Sequence, residues 1–343
     1  MRVLVRVDRV VVAVRVSPFE LPGASTLLER GRWPEHTSCT RLSGGSRHKV
    51  FLLEDGERSA VLKLYGGAGI AAAEPFQHET FVHGFLARHL PKSVPQVLDL
   101  DEAARCVLFE WVKGERPSAS QINHTAMAEM AGFVAALNRL ELRKAARQVG
   151  LPQASDAAFD LAGHRERIWL RLEALTSRTS EPPIVEEMKC FVRSELIPAF
   201  LRTEGNGKRM LRPTEYALSP SDFGFHNVLV RPNGHWTFLD FEHAGWDDPA
   251  KLAADFFLQP ECPLDTHLQA EFLEELRLRA DFGEDFTERV ACLLPLQAIK
   301  WTTVILNVFQ HELPPTITPR LQARLSKAKS YWARRGAFVE HEC

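Results

Sequence analysis

The sequence contains little of what marks the specialised classes of protein. Its six cysteines lie far apart, with no CxxC pair and no Cys/His cluster at zinc spacing, so we expect reduced thiols and no structural zinc. No uninterrupted apolar run approaches the about 18 residues of a membrane-spanning helix. The longest uncharged run near the N-terminus, residues 10–14, is shorter than the core of a secretory signal. These absences predict a cytoplasmic protein that has no membrane partner.

An excess of charge of one sign is also lacking. The formal net charge is −2, so no overall basic field favours nucleic acid as a partner. The hydrophobic share of 45% and the charged share of 25% are those of an ordinary globular protein. A chain of 343 residues suffices for about two domains. Any chemistry must therefore come from local groups of residues.

The pattern of apolar residues changes near residue 117. Before it, short apolar runs separated by turn residues predict an antiparallel sheet with one helix. The predicted strands are residues 39–42, 50–53, 60–65, 97–100 and 106–111, and the predicted helix is residues 74–90. After it, helical spacing dominates, interrupted by a hairpin of two strands. The hairpin strands are residues 227–230 and 236–239, and the helices are about residues 122–140, 159–175, 185–201, 251–258, 266–280, 285–309 and 319–335.

This pattern predicts an α+β fold made of three segments. Residues 1–35 form an N-terminal extension whose structure the pattern leaves open. Residues 36–116 form the small sheet, and residues 117–343 form the mainly helical part with the hairpin. The pattern carries no signal about oligomeric state.

The hairpin brings oxygen-bearing side chains together. Asp222 precedes its first strand, Asn227 stands at the start of that strand, and Asp240 follows its second. Mg²⁺ prefers oxygen ligands and is usually held by one or two side chains together with substrate phosphates, which Asn227 and Asp240 would supply. Asp222 would then face a nucleophile, as phosphoryl transfer requires. Each carboxylate taken alone is equally consistent with a turn cap.

Two features before residue 117 favour phosphate chemistry. Gly44, Gly45 and Ser46 lie between two predicted strands, where a backbone without bulky side chains can present N–H groups to phosphate oxygens. Lys63 lies in the third strand, and Glu79 on the following helix is placed to pair with it. A Gly-Gly pair in a hairpin is usually only a turn, and a strand lysine is usually solvated, so the combination carries the argument.

In this order the motifs resemble the protein-kinase-like superfamily. The resemblance is closest to its small-molecule branch, the aminoglycoside phosphotransferase and choline/ethanolamine kinase family. Residues 44–51 resemble the glycine loop of that family, residues 61–66 its lysine strand, and residues 240–245 its metal-binding segment. The similarity extends over about residues 39–310, and the combination of motifs is more specific than any one of them.

The resemblance implies a protein-kinase-like two-lobed fold, with ATP and Mg²⁺ as cofactors. Lys63 would hold the α/β-phosphates, and the backbone of a hinge at residues 108–112 would bind adenine. The implied cofactor-binding residues are Gly44, Gly45, Ser46, Lys63, Glu79, Glu110 and Val112. The implied metal ligands are Asn227, Asp240 and Glu242, the implied catalytic base is Asp222, and Asp255 resembles a buried acid that braces the catalytic loop.

Two departures from the family pattern affect the prediction. Pro220 and Ser221 replace a histidine-containing pair before the catalytic aspartate, so the loop needs other support. Only 14 residues separate Asp240 from Asp255, which leaves no room for an activation segment. We therefore predict transfer of the γ-phosphate of ATP to a hydroxyl of a small molecule, either a sugar, an amino alcohol or an aminoglycoside-like compound. The alternatives are a nucleotide-binding pseudokinase or scaffold and an atypical protein kinase.

Residues 240–255 hold five acidic side chains and one lysine. Part of this negative charge suits a metal ion. The rest has two interpretations: a mouth that attracts a cationic acceptor, or ordinary helix caps such as Asp248 before Pro249.

Overall fold

In a computed structural model the chain folds into two compact units. The first unit consists of Met1–Pro117, Gly150–Pro152 and Asn227–His243, and the second of Ser118–Val149, Gln153–His226 and Ala244–Cys343. The structure describes residues 17–21, 23–42, 48–66, 70–177, 182–203, 209–310 and 318–336. The segment boundaries predicted at residues 35/36 and 116/117 stay predictions.

The first unit is built on a five-stranded antiparallel sheet in the order β1-β2-β3-β5-β4. Its strands are β1 (Ser38–Leu42), β2 (His48–Glu54), β3 (Ser59–Tyr65), β4 (Val97–Asp101) and β5 (Cys106–Glu110). All five follow the predicted runs, because alternation of apolar and polar residues at period two is a strong local signal. The sheet and the mainly helical second unit confirm the predicted α+β class.

Both faces of the sheet are covered. Helix α1 (Ala24–Arg30) buries Leu27 and Leu28 on one face, in a core that includes Leu62 of β3. Helix α2 (Ile70–His89) contributes Phe76 to the other face. Helix α1 was not predicted, since it spans only seven residues between glycines within the supposed extension. Successive residues of β3 thus point alternately toward α1 and toward α2.

The predicted hairpin is confirmed and packs within the first unit. Strands β7 (Val228–Val230) and β8 (Trp236–Phe238) pair antiparallel. Glu115 exchanges two backbone hydrogen bonds with Val230, at 3.1 and 2.8 Å. Gly114 permits this approach, because a Cβ there would lie 2.9 Å from the Val230 carbonyl oxygen.

The second unit is mainly helical. Its helices are α3 (His124–Leu137), α4 (Leu140–Gln148), α5 (Leu161–Thr176), α6 (Pro183–Phe191), α7 (Ile197–Arg202), α8 (Pro249–Leu258), α9 (Thr266–Arg279), α10 (Phe286–Ile305) and α11 (Thr318–Arg335). A two-stranded ladder joins β6 (Ala217–Ser219) to β9 (Gly245–Asp247). These strands were not predicted, because they lie far apart in the chain and no turn joins them directly. Short 3₁₀ helices lie at Ala119–Gln121, Pro213–Glu215 and Leu306–Gln310 in this unit, at Pro18–Glu20 in the first unit, and at Phe225–Asn227 where the two units divide along the chain.

Two predicted helices differ in detail. The helix predicted at residues 122–140 ends at Leu137, and α4 follows it after Asn138 and Arg139. The helix predicted at residues 185–201 contains a π-helical turn, Val192–Leu196, between α6 and α7. Periodicity does not detect either interruption, because the apolar spacing continues across both.

One helical stretch within the described residues, Phe286–Gln310, is long and apolar enough to cross a membrane by length and composition. Its most apolar window is 72% buried inside the protein. The burial is that of a core helix packed against α8 and α5.

Candidate active site

Three carboxylates surround the Lys63 ammonium in the first unit. Lys63 Nζ lies 2.6 Å from Glu79 Oε2, 3.3 Å from Asp240 Oδ1 and 3.4 Å from Glu242 Oε2. Lys63 and Glu79 are buried, at 8% and 2% exposure. Burial alone would lower the pKa of Lys63, but the charges of Glu79, Asp240 and Glu242 raise it above its usual value. The lysine therefore stays a cation.

The turn after β8 aims two of these carboxylates at Lys63. Asp240 is left-handed, with φ +63°, and a turn follows at Glu242 and His243. Phe241 between them is fully buried and packs edge-on against His83 of α2, with ring centroids 5.4 Å apart. The buried ring anchors the turn, so both carboxylates can face the lysine.

Two histidines hold the Glu242 carboxylate. His48 Nε2 of β2 lies 3.0 Å from Glu242 Oε2, and His243 Nε2 lies 3.3 Å from Oε1. Burial alone would raise the pKa of Glu242, but the neighbouring His243 and His48 side chains and the charge of Lys63 lower it well below its usual range. Sequence reasoning missed His48, because its contact with Glu242 spans almost two hundred residues of chain.

The donor set at this position fits Mg²⁺. Ligand oxygens of Glu79, Asp240 and Glu242 lie within 4.8 Å of one another. Asn227 lies across the hairpin from Leu239, the residue before Asp240, since its backbone carbonyl accepts a 2.9 Å hydrogen bond from the Leu239 amide. Carboxylate and amide oxygens suit a hard cation such as Mg²⁺ better than a transition metal.

The remaining predicted nucleotide contacts divide into two groups. Gly44, Gly45 and Ser46 lie outside the described residues. Glu110 ends β5, and its side chain lies 3.3 Å from Arg231 of the hairpin. The Glu110 amide donates to the Gln96 carbonyl at 2.8 Å. The Glu110 amide is therefore already paired, and the side chain of Val112 is buried.

Asp222 belongs to the second unit, in the loop after β6. Ser221 is left-handed, with φ +67°, and its amide donates to Ser219 Oγ at 3.0 Å. The Asp222 amide donates to the Pro220 carbonyl at 2.9 Å. The Ser219 hydroxyl and the Pro220 carbonyl thus support the loop.

Two side chains that the sequence did not single out converge on Asp222. His226 Nε2 lies 3.2 Å from Asp222 Oδ1, and Gln259 Nε2 lies 3.5 Å from the same oxygen. The Glu261 amide donates to Gln259 Oε1 at 2.6 Å, which turns the NH₂ of Gln259 toward Asp222. Gly224 allows His226 this position, because a Cβ on Gly224 would lie 2.8 Å from His226 Nδ1. One feature of the sequence could have singled out His226: it directly precedes Asn227, which was predicted as a metal ligand.

Strand β6, which leads into the Asp222 loop, is held from both sides. Asn138 accepts from the Leu218 amide at 2.8 Å and donates to its carbonyl at 3.0 Å, in the manner of a neighbouring strand. On the other side β9 carries Asp247, which pairs with Lys251 of α8 at 2.7 Å. Lys251 also lies 3.1 Å from Asp255, and Asp255 contacts Lys300 of α10.

These pairs change the interpretation of the acidic stretch. Asp247, Asp248 and Asp255 are buried, at 0%, 0% and 1% exposure. Asp248 caps α8 through the Ala250 amide at 2.8 Å and pairs with Arg289 at 2.6 Å. The interpretation as a mouth that attracts a cationic acceptor is therefore wrong for these three residues, and the helix-cap interpretation is confirmed for Asp248.

Known proteins of similar structure are small-molecule kinases by name. The chain is similar to an ethanolamine kinase from Plasmodium vivax, with a TM-score of 0.58, 13% identity, and 87% of this chain and 81% of that one covered. It is similar to the aminoglycoside phosphotransferase APH(2'')-Ib with bound ADP, with a TM-score of 0.58, 14% identity, and 91% and 97% covered. It is also similar to the choline kinase LicA from Streptococcus pneumoniae, with a TM-score of 0.52, 16% identity, and 90% and 99% covered.

These structural likenesses confirm the expected kinase-like fold. No curated protein sequence matches the chain significantly. The sequence matches the family described as phosphotransferase enzyme family over residues 38–281, which is more than half of its length. The chain belongs to the phosphotransferase enzyme family.

Proposed function

We propose that this protein is an ATP- and Mg²⁺-dependent phosphotransferase that transfers the γ-phosphate of ATP to a hydroxyl group of a small molecule. The observation that carries the proposal is the buried Lys63–Glu79 pair with Asp240 and Glu242 around the same ammonium. Binding of a metal-bound polyphosphate needs a fixed cation for the phosphates and a cluster of oxygen ligands for the metal, and this site has both. Family membership supports the reaction class.

The first unit supplies the nucleotide-binding groups. Lys63 binds the α/β-phosphates and keeps Glu79 as its partner. Asn227, Asp240 and Glu242 hold Mg²⁺, which when bound neutralises charge on the phosphates. The carbonyl of Glu110 and the N–H of Val112 bind the adenine edge, while the loop with Gly44, Gly45 and Ser46 offers backbone N–H groups to phosphate oxygens.

The second unit supplies the base. The acceptor hydroxyl oxygen attacks the γ-phosphorus, the bond from that phosphorus to the β,γ-bridging oxygen breaks, and ADP leaves. The proton of the hydroxyl passes to the Asp222 carboxylate. His226 and Gln259 orient this carboxylate through its Oδ1, because both place nitrogen atoms within 3.5 Å of that oxygen.

The acceptor that we propose is a sugar, an amino alcohol or an aminoglycoside-like compound. Support comes from the similar structures, which are named as kinases of ethanolamine, choline and aminoglycosides. We place the protein in the cytoplasm, since the described cysteines, Cys39, Cys106, Cys190, Cys262 and Cys292, are free thiols.

A screen for ATP consumption tests the proposal. Purified protein is incubated with Mg·ATP and single members of a panel of sugars, choline-like alcohols and aminoglycosides, and ADP release is followed. We expect one class to be phosphorylated. Asp222→Asn lowers kcat by about 10²- to 10⁴-fold, because it removes the proton acceptor, while ATP affinity is kept. ATP binding without turnover on any acceptor would support a scaffold, and γ-labelled protein bands would support a protein kinase.

Magnesium dependence tests the metal ligands separately. Asp240→Asn should raise the Mg²⁺ concentration needed for half-maximal ATP binding, because a neutral amide replaces a carboxylate ligand. Glu57→Gln, on the exposed turn between β2 and β3, is the matched control and should leave the titration unchanged. An unchanged Mg²⁺ titration in Asp240→Asn would contradict the ligand assignment.

A further inference from the structure

Glu79, the partner of Lys63, accepts a second hydrogen bond, which comes from Tyr65. Tyr65 ends β3 two residues after Lys63, and side chains two apart on a strand share a face. Tyr65 Oη donates to Glu79 Oε2 at 2.6 Å, the same length as the bond from Lys63 Nζ to that oxygen. Both donors therefore converge on one carboxylate oxygen of α2.

The ring of Tyr65 is held in place by its neighbours. It is 5% exposed, with the His48 ring on β2 at a centroid distance of 4.8 Å and the Phe76 ring edge-on at 5.3 Å. Burial and the Glu79 carboxylate raise the pKa of Tyr65 far above its usual value, so the phenol keeps its proton and stays a donor. The hydroxyl is thus preorganised toward Glu79.

This contact matters because Lys63 has competing partners. Its ammonium has three protons and lies near three carboxylates. A bound phosphate adds a further anion that competes for these three protons. Glu79 is 2% exposed, so any loss of its Lys63 contact leaves a buried charge poorly compensated. A donor that remains on Glu79 offsets that cost and keeps the carboxylate in position.

We propose that Tyr65 is a positioning residue of the phosphate-binding site, whose hydroxyl holds Glu79 so that Lys63 is directed at the phosphates of ATP. The inference rests on the proposed function, in which Lys63 binds these phosphates. Tyr65 itself touches no phosphate and acts through Glu79.

The test compares two tyrosine-to-phenylalanine variants. Tyr65→Phe removes only the hydroxyl. Tyr331→Phe is the matched control, because Tyr331 is 2% exposed and its hydroxyl donates to the Leu258 carbonyl at 2.6 Å in the second unit. Calorimetric titration measures binding of Mg·ATP and of adenosine. Tyr65→Phe should weaken ATP binding about tenfold, the effect of one hydrogen bond to a charged group, and leave adenosine binding unchanged. Tyr331→Phe should change neither.

A double-mutant cycle separates positioning from general damage. Glu79→Gln keeps the shape of the side chain and removes its charge, and thermal unfolding confirms that each variant is folded. Tyr65→Phe should cause no further loss of ATP affinity in the Glu79→Gln background. An additive loss there, an equal loss of ATP and adenosine binding, or unchanged ATP binding in Tyr65→Phe overturns the inference. Wild-type protein that binds no ATP would overturn the proposed function and this inference with it.

Discussion

Removal of the Lys251 charge is the sharpest test of the buried ion network behind the Asp222 loop. Lys251 is 2% exposed and lies between Asp247 at 2.7 Å and Asp255 at 3.1 Å. Lys251→Met keeps the length of the side chain and leaves Asp247 buried without its cation, while Asp255 retains Lys300. Loss of one partner of a buried pair costs about 3–5 kcal/mol. This is a large part of the free energy of unfolding of a typical protein, which is about 5–15 kcal/mol.

The effect should depend on pH with a defined sign. Burial raises the pKa of Asp247, and the Lys251 charge counteracts this, so the variant raises that pKa further. In the unfolded chain an aspartate has a pKa of about 3.9. A carboxyl whose pKa is higher in the folded than in the unfolded state loses stability as pH rises through the folded pKa. The deficit of Lys251→Met should therefore grow between pH 5 and pH 8.

Urea denaturation at both pH values measures the effect. Lys327→Met is the control, because its pair with Glu261 at 2.9 Å is exposed, at 39% and 43%, and such pairs contribute at most about 1 kcal/mol. Adding Asp247→Asn to Lys251→Met should recover part of the loss, since no uncompensated charge remains on β9. Equal costs for Lys251→Met and Lys327→Met, or a deficit that shrinks as pH rises, would refute the reasoning.

Three further substitutions probe the Asp222 loop. Gly224→Ala places a methyl group 2.8 Å from His226 Nδ1, so kcat should fall by up to about 100-fold with little change in urea stability; unchanged kcat would contradict this. Asn138→Ala leaves the Leu218 amide and carbonyl unsatisfied and should cost about 1–3 kcal/mol in urea denaturation, whereas a smaller loss would mean that β6 needs no such support. Gln259→Leu should lower kcat and leave the KM for ATP unchanged, and a rise in that KM alone would argue against its proposed role.

The sequence by itself determined the local structure and the main candidate residues. Strands β1 to β5 and the hairpin follow from period-two alternation and turn residues, which depend only on neighbours in the chain. Lys63, Asp222 and Asp240 were singled out because each stands at a defined place in a motif. The α+β class followed from the order of these elements.

The tertiary structure decided which side chains meet. His48 reaches Glu242, and Gln259 reaches Asp222, across 194 and 37 positions of chain. Packing also brings Lys300 of α10 to Asp255, across 45 positions of chain. None of these contacts is visible in a local pattern, because periodicity shows which face of an element is apolar but not which element covers it. Contacts between distant residues depend on how the elements pack. The free-energy cost of burying each charged side chain depends on the same packing.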